Sequence, residues 1–252
     1  MRGVWGEVWG LVLPVSCSGC GEGRMALCGR CAGVLDGRGV GRVRPRPEPV
    51  GLPVVHAAAA YEGSVRGVLL DHKERGALGL VRPLGAALAA AVRAGGERGA
   101  VALVPMPSAR RAVRARGHDP TLRITRAAAG ALRRSGVPAR VLAVLRQRRT
   151  PADQAGLDAR QRLANVAGVL EVVEGGAGLL AEVGRIVLVD DLMTTGASLA
   201  EAARAVRAAF PCGTRSITLT GGTSSAGEKA ARIALHGAVI AASPDSFEVN
   251  RN

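Results

Sequence analysis

The chain has 252 residues, of which 48% are apolar and only 2% aromatic, so its core must be built mainly from Ala, Val and Leu. That length suffices for one large α/β domain and a small additional module. No stretch reaches the roughly 18 consecutive apolar residues of a membrane span, and the interrupted apolar segment at 5–15 is not typical of an export signal. We therefore expect a cytoplasmic protein with no membrane insertion.

The formal net charge of +14 comes from 32 arginines and only two lysines, set against 20 acidic residues. A strong positive charge favours a polyanionic partner. An arginine-rich, lysine-poor composition also results from a GC-rich coding sequence, so location says more than the total. Residues 105–165 hold fourteen arginines and three aspartates, which concentrates the positive charge in one region.

Four cysteines near the start of the chain form two CxxC pairs separated by seven residues. Paired CxxC motifs present four thiolates to one ion, which is the ligand set of structural zinc. Two disulfides are the alternative, and they are uncommon in a chain without an export signal. We predict a zinc-binding module at 1–35, followed by a Pro/Gly-rich linker at 36–53. The predicted metal ligands are Cys17, Cys20, Cys28 and Cys31.

The main domain is predicted to begin near Val54 with a strand that runs to Tyr61. A helix follows from Ser64 to about Lys73, and another begins at Pro83. Asp119 precedes Pro120, which is the pattern of a helix N-cap with proline at the first helical position. Further predicted strands lie at 101–104, 141–145, 166–173, 186–189 and 216–220, and further helices at 119–134 and 197–210.

This alternation of strands and helices predicts an α/β fold with a mostly parallel sheet flanked by helices. Ligands bind such sheets at the carboxyl ends of the strands. The polar stretch 146–165 is predicted to be a mobile loop. Residues 221–252 have no assignment and are predicted to be either an added helix and strand or a tail.

The strongest functional signal follows the apolar strand at 186–189. Asp190 and Asp191 stand at its end, and a hydroxyl- and glycine-containing turn leads into an alanine-rich helix. Hydroxyls and free N–H groups at a helix N-terminus bind phosphate, and adjacent carboxylates suit ribose hydroxyls or a cation. The alternative is a capping threonine beside solvated acids, but two like charges at a strand end are unfavourable without a ligand. The candidate phosphate-binding residues are Met193, Thr194, Thr195, Gly196, Ala197 and Ser198.

This order of features resembles the phosphoribosyl pyrophosphate (PRPP) loop of type I phosphoribosyltransferases. Three further segments, with the CxxC pairs, make the chain resemble the ComF family of competence-associated, phosphoribosyltransferase-like proteins. One runs from Tyr61 through Lys73, and one joins Val104-Pro-Met-Pro107 to Arg114-Ala-Arg-Gly-His-Asp119. The last comprises Thr150, Gln154, Leu157, Arg162 and Asn165-Val-Ala-Gly168.

The resemblance implies a type I phosphoribosyltransferase-like domain at 54–220 that transfers a phosphoribosyl group and releases pyrophosphate. It implies catalytic roles for Asp190 and Asp191, with Mg²⁺ as a cofactor beside the structural Zn²⁺. Arg116, Gly117 and Lys73 are the candidates for the pyrophosphate. The expected ligand is PRPP or a nucleotide, and the acceptor is not specified.

Alternatives remain at the level of residues and of function. Lys73 could be a solvated surface lysine, and Arg146, Arg148 and Arg149 could form a solvated basic face instead of closing over pyrophosphate. The second function class is a non-catalytic nucleotide-sensing or nucleic-acid-handling module, although the chain has few aromatic side chains on which bases could stack. The third is a scaffold that docks a DNA-uptake helicase through the zinc module. Single-stranded DNA is the expected macromolecular ligand in the second class.

Overall fold

A computed structural model describes residues 16–96, 99–149, 165–210, 217–219 and 233–248. The strands are β1 (Gly41–Val43), β2 (Val55–Ala60), β3 (Val101–Pro105), β4 (Ala139–Val141), β5 (Leu145–Gln147), β6 (Leu170–Val172), β7 (Arg185–Met193), β8 (Ile217–Leu219) and β9 (Ile233–Ala242). The helices are α1 (Gly29–Gly33), α2 (Gly63–Glu74), α3 (Val81–Ala94), α4 (Arg110–Arg116), α5 (Pro120–Arg134), α6 (Gly176–Ala181) and α7 (Ala197–Ala208).

The main sheet has the strand order β1-β2-β9-β7-β3-β4, with β8 paired to the start of β9. Every pairing in it is parallel except that of β1 with β2. The expected α/β architecture with a mostly parallel sheet is therefore confirmed. Strand β7, which bears the two aspartates, lies between β3 and β9 near the centre. Its carboxyl end is the edge at which parallel sheets bind ligands.

Two apolar cores lie on opposite faces of this sheet because successive strand side chains alternate between faces. In β7, Val187 and Val189 face the core that includes the apolar sides of α2, α3 and α5. Ile186 and Leu188 face the second core, to which α7 contributes. Most of these side chains are Ala, Val, Leu or Ile, as the composition requires.

The start of α5 follows its sequence signals closely. The Asp119 carboxylate accepts the Leu122 N–H at 2.9 Å and the Ser108 hydroxyl at 3.0 Å. Pro120 occupies the first turn, where its missing N–H removes no helical hydrogen bond. Helix α2 differs from the prediction, because Glu62 is its N-cap residue and Ser64 makes no capping bond.

Several boundaries depart from the sequence-based assignments. The predicted strand at 141–145 divides into β4 and β5, and the strand predicted from 166 begins only at Leu170. Gly168 precedes it with φ +69°, and this left-handed backbone ends the preceding turn. The segment 36–53 contributes β1 to the sheet.

The strand with the greatest burial lies in the segment left without assignment. All ten residues of β9 are buried, and it pairs with both β2 and β7. Its sequence combines alanines with Gly237, where a Cβ would lie only 2.8 Å from a methyl carbon of Val55. Small residues are thus required there by close packing.

Some predictions fall on residues outside the described ranges. These are the first half of the 1–35 module and most of the 146–165 loop, including Thr150, Gln154, Leu157 and Arg162. Across the part of the chain that is described, no helix combines the length and the apolar character of a membrane span.

Candidate functional site

The four cysteines come together as a possible metal-binding site. Their Sγ atoms all lie within 4.8 Å of one another, and those of Cys20 and Cys28 are 3.7 Å apart. Sulfur atoms around a tetrahedral zinc ion are separated by about 3.8 Å, given a Zn–S distance of about 2.3 Å. The arrangement is therefore consistent with zinc.

Backbone geometry around the cysteines also suits thiolates. The amides of Gly19 and Cys28 point at the Cys17 Sγ at 3.4 and 3.3 Å. Although burial opposes it, these N–H groups lower the pKa of Cys17 to about 6. Burial raises the pKa of Cys31 to about 12, so a bound metal would have to displace its proton.

The cysteine cluster rests directly on α2. A Cβ at Gly67 would lie 2.4 Å from the Ser18 carbonyl oxygen, and one at Gly19 would lie 2.9 Å from the Ser64 Cβ. Both positions therefore exclude any side chain larger than hydrogen. The same helix carries Lys73 nine residues after Ser64, so α2 connects the cluster to the acidic end of β7.

A cleft of about 230 Å³ opens at the carboxyl end of β7, and we call it the acidic cleft. It brings together five predicted site residues from three separate segments. Its polar lining is Lys73, Ser108, Arg116, Thr121, Gln147, Asp190, Asp191, Ser198 and Glu201. The remaining lining residues are apolar, which gives a site with converging polar groups on a nonpolar wall.

Lys73 is paired and not free in solvent. Its Nζ lies 3.0 Å from a carboxylate oxygen of Asp191, which is itself buried. Although burial lowers it, the charge of Asp191 raises the pKa of Lys73 overall. The Lys73 side chain is still 41% exposed, so Lys73 is a partly solvated lysine held by an ion pair.

Asp190 is the less compensated of the two acids. Burial and the neighbouring charge of Asp191 raise the pKa of Asp190 well above its usual value, and Lys73 offsets only part of this. The Asp190 carboxylate accepts the Asp191 N–H at 2.9 Å. A divalent cation or a hydroxyl-bearing ligand would relieve the repulsion between the two carboxylates.

Arg116 lines the acidic cleft but is also paired. It donates to both carboxylate oxygens of Glu74, with its closest contact at 2.9 Å. Gly117 ends α4 in the left-handed conformation at φ +72°, a backbone region that favours glycine. An anion bound here would have to compete with Glu74 for the guanidinium.

The candidate phosphate-binding residues are divided between two cavities. Ser198 lines the acidic cleft, whereas Thr194 and Thr195 line a neighbouring pocket of about 410 Å³ with Arg46 and Ser243. The Met193 side chain lies in the apolar core, and Ala197 is buried. Met193 and Ala197 could therefore contact a ligand only through their backbone atoms.

Gly196 gives the turn before α7 its shape. Its φ of +73° is left-handed, and a Cβ would lie 3.1 Å from a Leu52 methyl and 3.3 Å from Pro45. The segment before β2 thus packs against the candidate phosphate-binding turn. Thr195 Oγ1 lies 3.5 Å from the Ala197 N–H, at the limit of a hydrogen bond.

Sequence reasoning missed Glu201, a third carboxylate in the cleft. It is buried and stands one helical turn after Ser198, so its spacing was a usable signal. Although burial opposes it, the Arg204 guanidinium and backbone N–H groups lower the pKa of Glu201. Gln147, Thr121 and Ser108 also line the cleft, and no local pattern marked them.

A second, strongly basic depression lies beside the acidic cleft, and we call it the arginine groove. It encloses about 550 Å³ between the start of α4 and the β5–β6 pair. Glu171 is its one acidic lining residue, and it pairs with two of the arginines. The lining arginines are Arg110, Arg111, Arg146, Arg148 and Arg149.

Comparison with known proteins adds no assignment. No family model matches the chain, and no curated protein is significantly similar to it. A function is therefore inferred from the geometry of the cysteine cluster, the acidic cleft and the arginine groove.

Proposed function

We propose that the chain is a PRPP-binding, phosphoribosyltransferase-like protein of the ComF type. The observation that carries this proposal is the pair of acids at the end of the central parallel strand, opening into a cleft beside a glycine-shaped helix start. Asp190 and Asp191 would hold the ribose hydroxyls and Mg²⁺, and the N–H groups at 196–198 would hold the 5-phosphate. Lys73 and Arg116 would face the pyrophosphate.

The chemistry would be pentosyl transfer to an unidentified acceptor. As pyrophosphate leaves, positive charge develops on the ribosyl carbon, and the protein contributes by orienting the groups and stabilising charge. Mg²⁺ would neutralise the leaving pyrophosphate. Lys73 and Arg116 both line the cleft and are partly exposed, so they are the cations available to the pyrophosphate, which would compete for them with Asp191 and Glu74.

The second part of the proposal is that Cys17, Cys20, Cys28 and Cys31 hold one structural Zn²⁺. Four protein thiolates close the coordination sphere, which leaves no position for a reacting water. Such a site needs reduced thiols, which supports a cytoplasmic location. Its contact with α2 would make the metal a support for the helix that carries Lys73.

Calorimetric titration of PRPP in the presence of Mg²⁺ tests the site. The double variant Asp190→Asn/Asp191→Asn should lose most of the affinity, and Glu182→Gln, at an exposed acid outside the cleft, should not. Equal affinity in the wild type and the double variant would place the ligand elsewhere.

The arginine groove favours a second candidate, a nucleic-acid-handling function coupled to the same site. Five arginines with one glutamate form a track suited to a phosphate backbone. None of the five lies beside an aromatic side chain in the lining, so binding would rest on phosphate contacts and show little base preference. Single-stranded DNA, delivered by an uptake helicase, is the partner that the ComF resemblance suggests.

A further inference from the structure

Both carboxylate oxygens of Glu201 are hydrogen-bonded within the fold, although the residue lines the acidic cleft. Its Oε1 accepts the Leu170 N–H at 2.9 Å and an Arg204 N–H at 2.8 Å, and its Oε2 accepts a second Arg204 N–H at 2.7 Å. Its side chain is only 4% exposed. With both oxygens bonded inside the fold and a buried side chain, Glu201 is held as an acceptor for Leu170 and Arg204.

Arg204 completes a contact with one peptide unit of β6. The same terminal nitrogen that binds Glu201 also donates to the Leu170 carbonyl oxygen at 2.9 Å. The N–H and C=O of Leu170 are thus both bonded by side chains of α7. This is the pattern that a neighbouring strand would offer to an exposed strand edge.

The opposite edge of β6 is paired with β5. Leu170 lies opposite Gln147, and the Arg148 N–H donates to the Val169 carbonyl at 2.8 Å. Strand β6 is therefore bonded to β5 on one side and to the Glu201–Arg204 pair on the other. The β5–β6 pair is a separate two-stranded sheet, so this contact supplies hydrogen bonds that the main sheet does not.

The β5–β6 pair carries groups of both candidate sites. Gln147 lines the acidic cleft, while Arg146 and Arg148 line the arginine groove and share Glu171. Helix α7 begins at the phosphate-binding turn and bears Glu201 on its second turn. One helix therefore supports the phosphate-binding turn at its start and the arginine-bearing strands through two side chains.

We infer that Glu201 and Arg204 are positioning residues that fix the β5–β6 pair against α7, and so set the wall of the acidic cleft and the place of the arginine groove. This inference rests on the proposed PRPP site for its functional consequence, but its structural part stands independently. Glu201 acts through Leu170 and Arg204 and does not touch the substrate. The contact needs two different groups: the Glu201 carboxylate as the hydrogen-bond acceptor, and the forked Arg204 guanidinium as the donor. A charge alone at either position would not replace them.

Amide hydrogen exchange and PRPP calorimetry on Glu201→Gln and Arg204→Met test the inference. Hydrogen bonds to charged groups are strong enough that losing them should speed exchange at Leu170 and Arg148 by about ten- to a hundredfold. Amides of β7 should exchange as in the wild type. When measured at a temperature well below the melting temperatures of both variants, PRPP affinity should fall by roughly tenfold in each.

Two comparison variants separate positioning from general loss of stability. Glu182→Gln removes an exposed ion pair with Arg140 that lies outside the cleft, and it should change neither measurement. Arg204→Lys keeps the charge but not the fork, and should restore only part of the PRPP affinity. Because Glu201 and Arg204 act as a unit, the double variant Glu201→Gln/Arg204→Met should be no worse than the poorer single variant.

Unchanged exchange at Leu170 in Glu201→Gln would overturn the inference. Faster exchange with unchanged PRPP affinity would overturn its functional part. If the wild type itself does not bind PRPP, the proposed function fails, but amide exchange still decides the positioning role. Affinity for oligothymidylate gives a second readout. It should weaken in Glu201→Gln if the arginines have lost their placement.

Discussion

At the scale of single residues, the acidic end of β7 combines a paired and a less compensated carboxylate. Asp191 has Lys73 at 3.0 Å, whereas Asp190 is held beside a like charge with a raised pKa. The sequence indicated both acids and raised Lys73 as a candidate. It could not predict their pairing, because Lys73 and Asp191 lie 118 positions apart and meet only through the packing of α2 on the sheet.

Asp190→Asn should stabilise the protein while it weakens ligand binding. Because the folded pKa of Asp190 is raised, its neutral form contributes stability that is fully present below the unfolded pKa and is lost as pH rises through the folded pKa. The increase in stability caused by Asp190→Asn should therefore be near zero at pH 4 and largest at pH 8. Each kcal/mol of gain raises Tm by about 2–4 °C in a chain of this size.

Thermal melts of both proteins across this pH range measure the effect. Asp245→Asn, at an exposed acid outside the sheet, serves as the control. A Tm difference that does not grow with pH would show that the pKa of Asp190 is not raised in the folded protein.

Gly196→Ala should destabilise the turn before α7. An L-residue in the left-handed region costs about 1–2 kcal/mol, and the new methyl would also press on Leu52 and Pro45. Phosphate binding at the turn should weaken as well.

Gly178→Ala is the matched control, because Gly178 lies in α6 with a negative φ and open space around its Cβ position. Alanine there should be neutral or slightly stabilising. Chemical denaturation of the two variants gives the comparison, and equal stability would contradict the assigned backbone role.

At the scale of elements, local patterns predicted the four longest helices and the buried central strand well, but not the short helices α1, α4 and α6. Asp119 and Pro120 fixed the start of α5, and the β-branched run before Asp190 indicated β7. Strand β9 was only one of two alternatives for 221–252, because its alanines and glycine are favoured there by close packing against β2, which is a tertiary cause. Short β1 was missed because prolines and glycines dominate its surroundings.

The contact of the cysteine cluster with α2 predicts a specific effect of Gly67→Ala. Its Cβ would meet a backbone oxygen at 2.4 Å, so the cluster or the helix must move. Overpacking of this kind typically costs about 1–3 kcal/mol. Gly33→Ala, with open space around it, is the control. We expect Gly67→Ala to expose the α2 amides to hydrogen exchange, and unchanged exchange there would show that the cluster is not docked on the helix.

Cys20→Ser should abolish stoichiometric zinc. Zinc binding at such sites has an apparent free energy of about 10–16 kcal/mol, which is folding free energy for the residues that surround the ion. The cysteine cluster should therefore unfold while the main sheet retains its cooperative melting. Elemental analysis gives the metal content, and a wild-type protein purified under reducing conditions without bound metal would contradict the assignment.

At the scale of the whole molecule, the positive charge of the sequence becomes a located surface. The composition and the arginine count of 105–165 predicted a basic region, and the structure gathers five of those arginines into one groove. The separation of this groove from the acidic cleft could not be read from the sequence. It depends on how the β5–β6 pair lies against α4 and α7.

The arginine groove predicts salt-dependent binding of single-stranded DNA. The logarithm of affinity should fall with the logarithm of salt concentration by about 0.7 for each phosphate neutralised. Replacing Arg110, Arg111 and Arg148 by Ala should therefore flatten the slope by about two. Arg93→Ala, outside the groove, should leave it unchanged. No DNA binding at low salt would remove the nucleic-acid function and leave the PRPP site unaffected.

The central claim is that PRPP binds in the acidic cleft with its 5-phosphate on the turn before α7. A crystal structure of the protein with PRPP and Mg²⁺ tests it most directly. The account predicts phosphate density against the N–H groups of Gly196, Ala197 and Ser198, with the ribose hydroxyls or the cation at Asp190 and Asp191. PRPP bound in the arginine groove, with the acidic cleft free of ligand, would contradict it.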